Sequence, residues 1–308
     1  MAWSEKWRIR FDALPYKFNL ECIADFQLGS RSCCEWKIQQ HIDDILENAK
    51  HTDSGVVVAG DLEDEDRPTT RILRAQIAAE RGEVVERDAM KHIAWIEHKV
   101  LPLLLPLHTG TKYGIMGGVA GHHFTQLTEY TDANGATQPA INSVQYIYRR
   151  LAELTGKPCV YLGEMVSFLD LTFEHGDTGK SLRQVGLLQH GEGSGAANKL
   201  TRTAKGFDAD FFIRGHDCKL LGTKEDQLYA RETRAGGDPA ILSRTRAMLN
   251  LGSATLGYEM SKKKPSYIEE KMMLPSTMGW GTLKFRIRKA LGVEDENRNM
   301  RADIKVEF

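Results

Sequence analysis

Disulfide chemistry is the first thing this chain lacks. Its five cysteines, at 22, 33, 34, 159 and 218, show no paired spacing, and the adjacent Cys33-Cys34 is poorly placed to bridge. Reduced thiols and a cytoplasmic location are the expectation. An excess of one charge is missing too: 41 Lys and Arg stand against 42 Asp and Glu, for a net charge of −1. No global field announces nucleic acid or a membrane, although a local basic groove stays open. Long hydrophobic runs are absent. The longest, "VLPLLLPL" (Val100–Leu107), carries two prolines and falls far short of a bilayer. The opening "MAWSEKWRIRFDALPYK" holds no apolar core of signal-peptide length, so no membrane partner is expected. Repeats, low-complexity tracts and Pro/Gly/Ser linkers are lacking as well. The expectation is one domain over 1–288, with a helical insertion near 70–107 and a charged, peripheral tail over 289–308.

What is present is a globular balance, 41% hydrophobic and 27% charged, arranged as short apolar strands alternating with amphipathic helices. "FNLECIAD" (Phe18–Asp25) and "GVVVAGD" (Gly55–Asp61) read as strands. "EWKIQQHIDDILENAK" carries apolar residues at 36, 38, 42, 45 and 46, a helical stripe. Residues 70 to 105 read as mostly helical with a break at Gly82, and Val85, Ala89, Ile93, Ile96 and Val100 share a face. "AINSVQYIYRRLAELTG" is a helix closed by Gly156. "PCVYLGE", "VSFLDLTFEH", "QVGLLQHG" and "ADFFIRGHD" follow as strands, and strand-like segments continue to "GTLKFRIR". This alternation predicts an α/β fold: a layered α/β/β/α sandwich of two mixed sheets flanked by helices.

Five of the strands stop at residues able to hold a metal ion: "IADFQLG" (Asp25, Gln27), "AGDLED" (Asp61, Asp64), "AGHHF" (His122, His123), "LQHGEG" (His190) and "RGHDC" (His216, Cys218). In layered α/β proteins, sites collect at the carboxyl ends of strands. The densest stretch, "GDLEDEDRP", raises its own question, because carboxylates packed so closely repel one another unless a cation lies between them. Taken singly, each of these histidines is more simply a structural one, and Glu63, Glu65 and Asp66 read as solvated loop residues. "HGEGSGAANK" lacks the Gly-Lys-Ser/Thr ending of a P-loop, and the basic run "SKKKPSY" (261–267) reads as a solvated loop. His41, His51, His92, His98 and His175 receive no role.

In this order the motifs "DFQ", "GDLED", "GHHF", "QHG" and "GHDC" resemble the calcineurin-like metallophosphoesterase superfamily, whose pattern is Asp-x-His, Gly-Asp-x-x-Asp, Gly-Asn-His-Asp/Glu, His and Gly-His-x-His. The resemblance runs from about Phe18 to about Arg288. It implies the metallophosphoesterase-like form of the layered fold and two divalent cations, with Mn2+ first and Zn2+, Fe2+ or Mg2+ as alternatives. The implied ligands are Asp25, Gln27, Asp61, His122, His190, His216 and Cys218, with Asp61 bridging both ions and taking part in catalysis. His123 would be the catalytic histidine, and Asp64 would orient a ligand. Gln27, His122 and Cys218 depart from the pattern: an amide is a weak donor to transition metals, imidazole reaches differently from asparagine, and thiolate favours zinc or iron.

The implied activity is phosphodiester hydrolysis by a water activated between two metals. A nuclease acting on DNA or RNA is expected from general similarity to the exonuclease-like and phage-type branch. Two alternatives stand beside it: a catalytically degenerate binding or scaffold subunit, and a phosphomonoesterase acting on a small metabolite. A homo-oligomer is left open.

Overall fold

Trp7, Ile9 and Phe11 are buried while Arg8 and Arg10 between them are exposed, the period of two that a half-buried strand demands. This is strand β1 (Ser4–Phe11) of a computed structural model that describes residues 4–30, 33–64, 89–127, 130–131, 137–138, 140–191, 196–217, 219–231, 240–255, 278–289 and 300–308. Next come β2 (Tyr16–Ile23), α1 (Glu35–Ala49) and β3 (Asp53–Ala59). Helix α2 (Ala89–Trp95) runs through a π-helical turn, Ile96–Val100, into α3 (Leu101–Gly110), and β4 (Ile115–Val119) follows. The two-residue strands β5 (Gln126–Leu127), β6 (Tyr130–Thr131), β7 (Thr137–Gln138) and β8 (Ile141–Asn142) pair as β5 with β8 and β6 with β7. Helix α4 (Ser143–Thr155) is capped by Asn142, whose side chain accepts from the Gln145 amide at 2.7 Å, and it ends at left-handed Gly156. The remaining elements are β9 (Val160–Tyr161), β10 (Val166–His175), β11 (Ser181–His190), α5 (Ala196–Gly206), β12 (Phe211–Gly215), β13 (Leu221–Arg231), β14 (Ala240–Asn250), β15 (Gly281–Lys289) and β16 (Met300–Glu307).

Among the described residues these strands form two six-stranded mixed sheets, ordered β1-β10-β11-β12-β14-β13 and β16-β15-β2-β3-β4-β9. Their inner faces meet through aromatic rings. Phe285 lies 5.4 Å from Phe211 and 5.5 Å from Phe173, and Phe18 lies 5.8 Å from Phe173. The apolar faces of α1, α3 and α4 (Ile38, Ile42, Leu104, Leu107, Ile147 and Leu151) join the same buried cluster. On the far side, α5 closes the other sheet, with Leu200 and Ala204 against Leu187, Phe212 and Met248. The layers are therefore α/β/β/α, as the alternation of strands and helices predicts.

Three points add to the sequence reading. Within the tail 289–308, Met300–Glu307 is a paired edge strand that adds Met300 and Ile304 to the core. The N-terminal strand β1 is an element that the sequence pattern above does not include. The helical insertion is observed from Ala89 to Gly110, while its part before residue 89, with Val85 and the break at Gly82, lies outside the described residues. So do the basic run 261–267, Glu65 and Asp66.

Strands β2, β3 and β4 run parallel, as do β11 and β12. The carboxyl ends of both sheets meet at one rim, where the His190 ring nitrogen Nδ1 lies 2.7 Å from the Ala59 carbonyl of the opposite sheet. No described helix is long and apolar enough to cross a membrane.

Candidate metal centre

Strands β2, β3, β4 and β12 leave that rim through left-handed backbone. Asp25 (φ 52°), Gln27 (φ 48°), Asp61 (φ 53°) and His216 (φ 84°) all hold a conformation that side chains resist, at about 1–3 kcal/mol each. The turns hold one another in place. The Asp25 amide donates to the Gly60 carbonyl at 3.0 Å, Gln27 to Asp61 at 3.0 Å, and Asp61 to Ala120 at 2.9 Å. Gly60 and Gly121 are also left-handed, and a Cβ at either would strike a site residue: the His190 ring for Gly60 and Asp61 Oδ1 for Gly121.

These turns bring Asp61, His122, His190 and His216 together, with one ligand atom of each lying within 4.8 Å of the others. The three rings sit 4.8–5.1 Å apart between centroids. Asp61 is 1% exposed; its Oδ1 accepts from the amides of His122 at 2.7 Å and His123 at 3.0 Å, which fixes the carboxylate. Its Oδ2 faces His190 Nε2 at 3.1 Å without a well-aligned hydrogen bond. Asp25 receives the His216 amide on Oδ2 at 2.9 Å, and its buried Oδ1 has no hydrogen-bond partner among the described residues. His123 is half-buried, with Nε2 3.7 Å from Asp61 Oδ2 and Nδ1 3.1 Å from Asp64 Oδ1.

The titrations follow from this crowding. Burial disfavours a charged His190, but the Asp61 carboxylate at 3.1 Å, with Asp25 behind it, outweighs burial and pushes His190 up to about 9. Burial would raise Asp61, yet His190 and His123 hold it well below the usual carboxylate range. Burial lifts Asp25 to about 7, with His190 opposing and Asp61 assisting. Burial, reinforced by His190 and His122, pulls His216 down to about 4. For His123, burial is overcome by Asp64 and Asp61, and the pKa rises. A proton thus stands where a cation fits. Three imidazoles with the Asp61 carboxylate form a donor set that suits a divalent cation, and Asp25 with its orphaned oxygen lies beside them.

Gln27 sits at the same rim, held through its backbone to Asp61, and Cys218 lies outside the described residues. Glu63 requires a correction, because it is not solvated: it is 1% exposed. Its Oε1 accepts from the Ser143 hydroxyl and from the Thr125 amide at 3.3 Å, and its Oε2 meets His92 Nε2 at 3.1 Å. His92, given no role from the sequence, stacks on Trp95 and completes the cluster. The cause is a bridge between Leu28 and Glu63 that turns the side chain inward, to the amino-terminal residue of α4, where a carboxylate complements the helix dipole.

No protein-family model and no curated protein matches the chain. Among solved structures, the crystal structure of wild-type Vps29 complexed with Zn2+ from Entamoeba histolytica is similar at 13% identity and a TM-score of 0.36, over 94% of this chain and 98% of that one.

Proposed function

We propose that this chain is a metal-dependent phosphoesterase that hydrolyses phosphodiester bonds, with nucleic acid as its substrate class. The supporting observation is the convergence of Asp61, His122, His190 and His216 within 4.8 Å, beside an imidazole braced by a carboxylate. Asp61, His122, His190 and His216 would hold a divalent cation, which would supply a Lewis acid for a phosphoryl oxygen and a water acidic enough to attack near neutral pH. Mn2+ is the ion proposed, and Asp25 Oδ1 is the atom free to serve a second one.

The protein's own groups do the rest. Two amides clamp Asp61 Oδ1 and leave Oδ2 toward the centre. Asp64 Oδ1, 3.1 Å from Nδ1 of His123, favours the charged form of the ring, so that Nε2 can give a proton to the departing oxygen. The test is turnover of bis(p-nitrophenyl) phosphate and of single- and double-stranded DNA and RNA with Mn2+. His123→Ala should lower kcat about 10²- to 10⁴-fold with metal content unchanged. A metal-loaded protein that cleaves none of these substrates ends the proposal, and cleavage of a chromogenic monoester alone would shift it to phosphomonoesters.

A second reading, a binding or scaffold subunit holding one ion, is favoured by a specific observation. One ligand group is gathered among the described residues, and Asp25 uses Oδ2 on the His216 amide. Two equivalents of metal per chain support the enzyme; one tightly held ion without turnover supports the subunit.

A further inference from the structure

A cavity of about 290 Å³ opens at the carboxyl end of the layer between α5 and its sheet. Within that layer the apolar filling of Leu187, Phe212 and Met248 gives way, two residues further along β11 and β12, to Gln189 and Arg214. These two are register neighbours and share a face of the sheet. Helix α5 adds Arg202 and Thr203, and no acidic side chain is among the lining residues.

Arg214 is 2% exposed. Its Nη2 is held 3.1 Å from Asp217 Oδ2, while its Nε is buried with no hydrogen-bond partner among the described residues. A buried N–H without an acceptor is costly, and an oxygen of a ligand in the cavity would satisfy it. Gly191 makes the room, since a Cβ there would strike the guanidinium. Gly191 follows His190 and Asp217 follows His216, so Arg214 is anchored beside two imidazoles of the metal centre. His190 itself borders the cavity beside Gln189, although the two side chains leave opposite faces of β11, so the cavity adjoins the metal centre at one strand end. About 290 Å³ is roomy for a tetrahedral oxyanion with bridging waters, each of which takes about 30 Å³.

We propose that this cavity is a site for a phosphate-class oxyanion, read by the fork of Arg214 together with Arg202. Resting on the phosphoesterase reading above, its occupant is a second phosphate of a substrate whose reacting phosphate lies at the metal centre. Free phosphate is the other source of the same chemistry. The test is calorimetric titration of inorganic phosphate into the full chain stripped of metal by a chelator. Wild type should bind, and Arg202→Gln and Arg214→Lys should each weaken binding at least tenfold. No binding by the folded wild type, or unchanged binding by Arg202→Gln, whose exposed side chain makes misfolding no issue, overturns the site. With Mn2+ present, thymidylyl-thymidine with and without a 5′-phosphate separates the sources. A tenfold preference in kcat/KM that Arg202→Gln removes assigns the site to substrate; equal rates overturn the substrate assignment and leave free phosphate as the ligand. If neither dinucleotide is cleaved, the phosphoesterase reading fails while the calorimetry still decides the cavity.

Discussion

Uptake of a metal ion should expel close to one proton per ion at pH 8. In the metal-free centre the charge on His190, 3.1 Å from Asp61 Oδ2, stands in the position of a cation. With His190 at about 9, His216 near 4 and Asp61 held low, one ligand of the four must give up a proton at pH 8. Apparent affinity for Mn2+ should fall about tenfold from pH 8 to pH 7. It should fall more steeply below 7, where Asp25, lifted by burial to about 7, takes up a second proton. The metal-free fold should respond in the opposite direction. The His190 contribution is complete below its unfolded value of 6.5 and is lost as pH rises through about 9; that gap is worth ~3 kcal/mol for a buried group. Calorimetry at pH 8 in two buffers of different ionisation enthalpy counts the protons, and denaturation of the chelated protein at pH 6.5 and 9.5 reads the stability. Tight binding with no proton released, or an affinity flat between pH 7 and 8, would refute the assignment of His190 as a ligand.

Glu63→Ala should cost about 3 kcal/mol in chemical denaturation, because Ser143 and His92 lose their buried acceptor together. Glu63→Gln should recover part of this. Gly121→Ala should abolish metal uptake by pressing on Asp61 Oδ1; Gly156→Ala, equally left-handed but in open space, should cost about 1 kcal/mol and leave metal content intact. Phe285→Ala, at the junction of the two sheets, should lose about 3–5 kcal/mol, and a loss below 1 kcal/mol would contradict the packing described.

The layered fold was legible because the sequence writes its strands plainly. The continuous apolar run Val56–Ala59 is buried on both faces, and "VSFLDLTFEH" matches β10 from end to end. Strand β1 is as plain in its alternation of Trp7, Ile9 and Phe11 with Arg8 and Arg10. The candidate ligands were visible as polar punctuation after apolar runs. Their mutual placement was not, since it depends on how two sheets meet across residues 25 to 216. Glu63 escaped for a related reason. Neighbouring acids on a turn look alike in a one-dimensional string, and only the Leu28 bridge separates the one that points inward.

The left-handed turns at positions 25, 27, 61 and 216 make this rim an internal record of duty. Glycine would occupy each of those bends without strain, so a copy of the chain relieved of its chemistry would grow sturdier by adopting it. Swapping Gln27 for glycine is therefore a sensitive probe: a gain in melting temperature together with a loss of ion uptake would mark that amide as a working group.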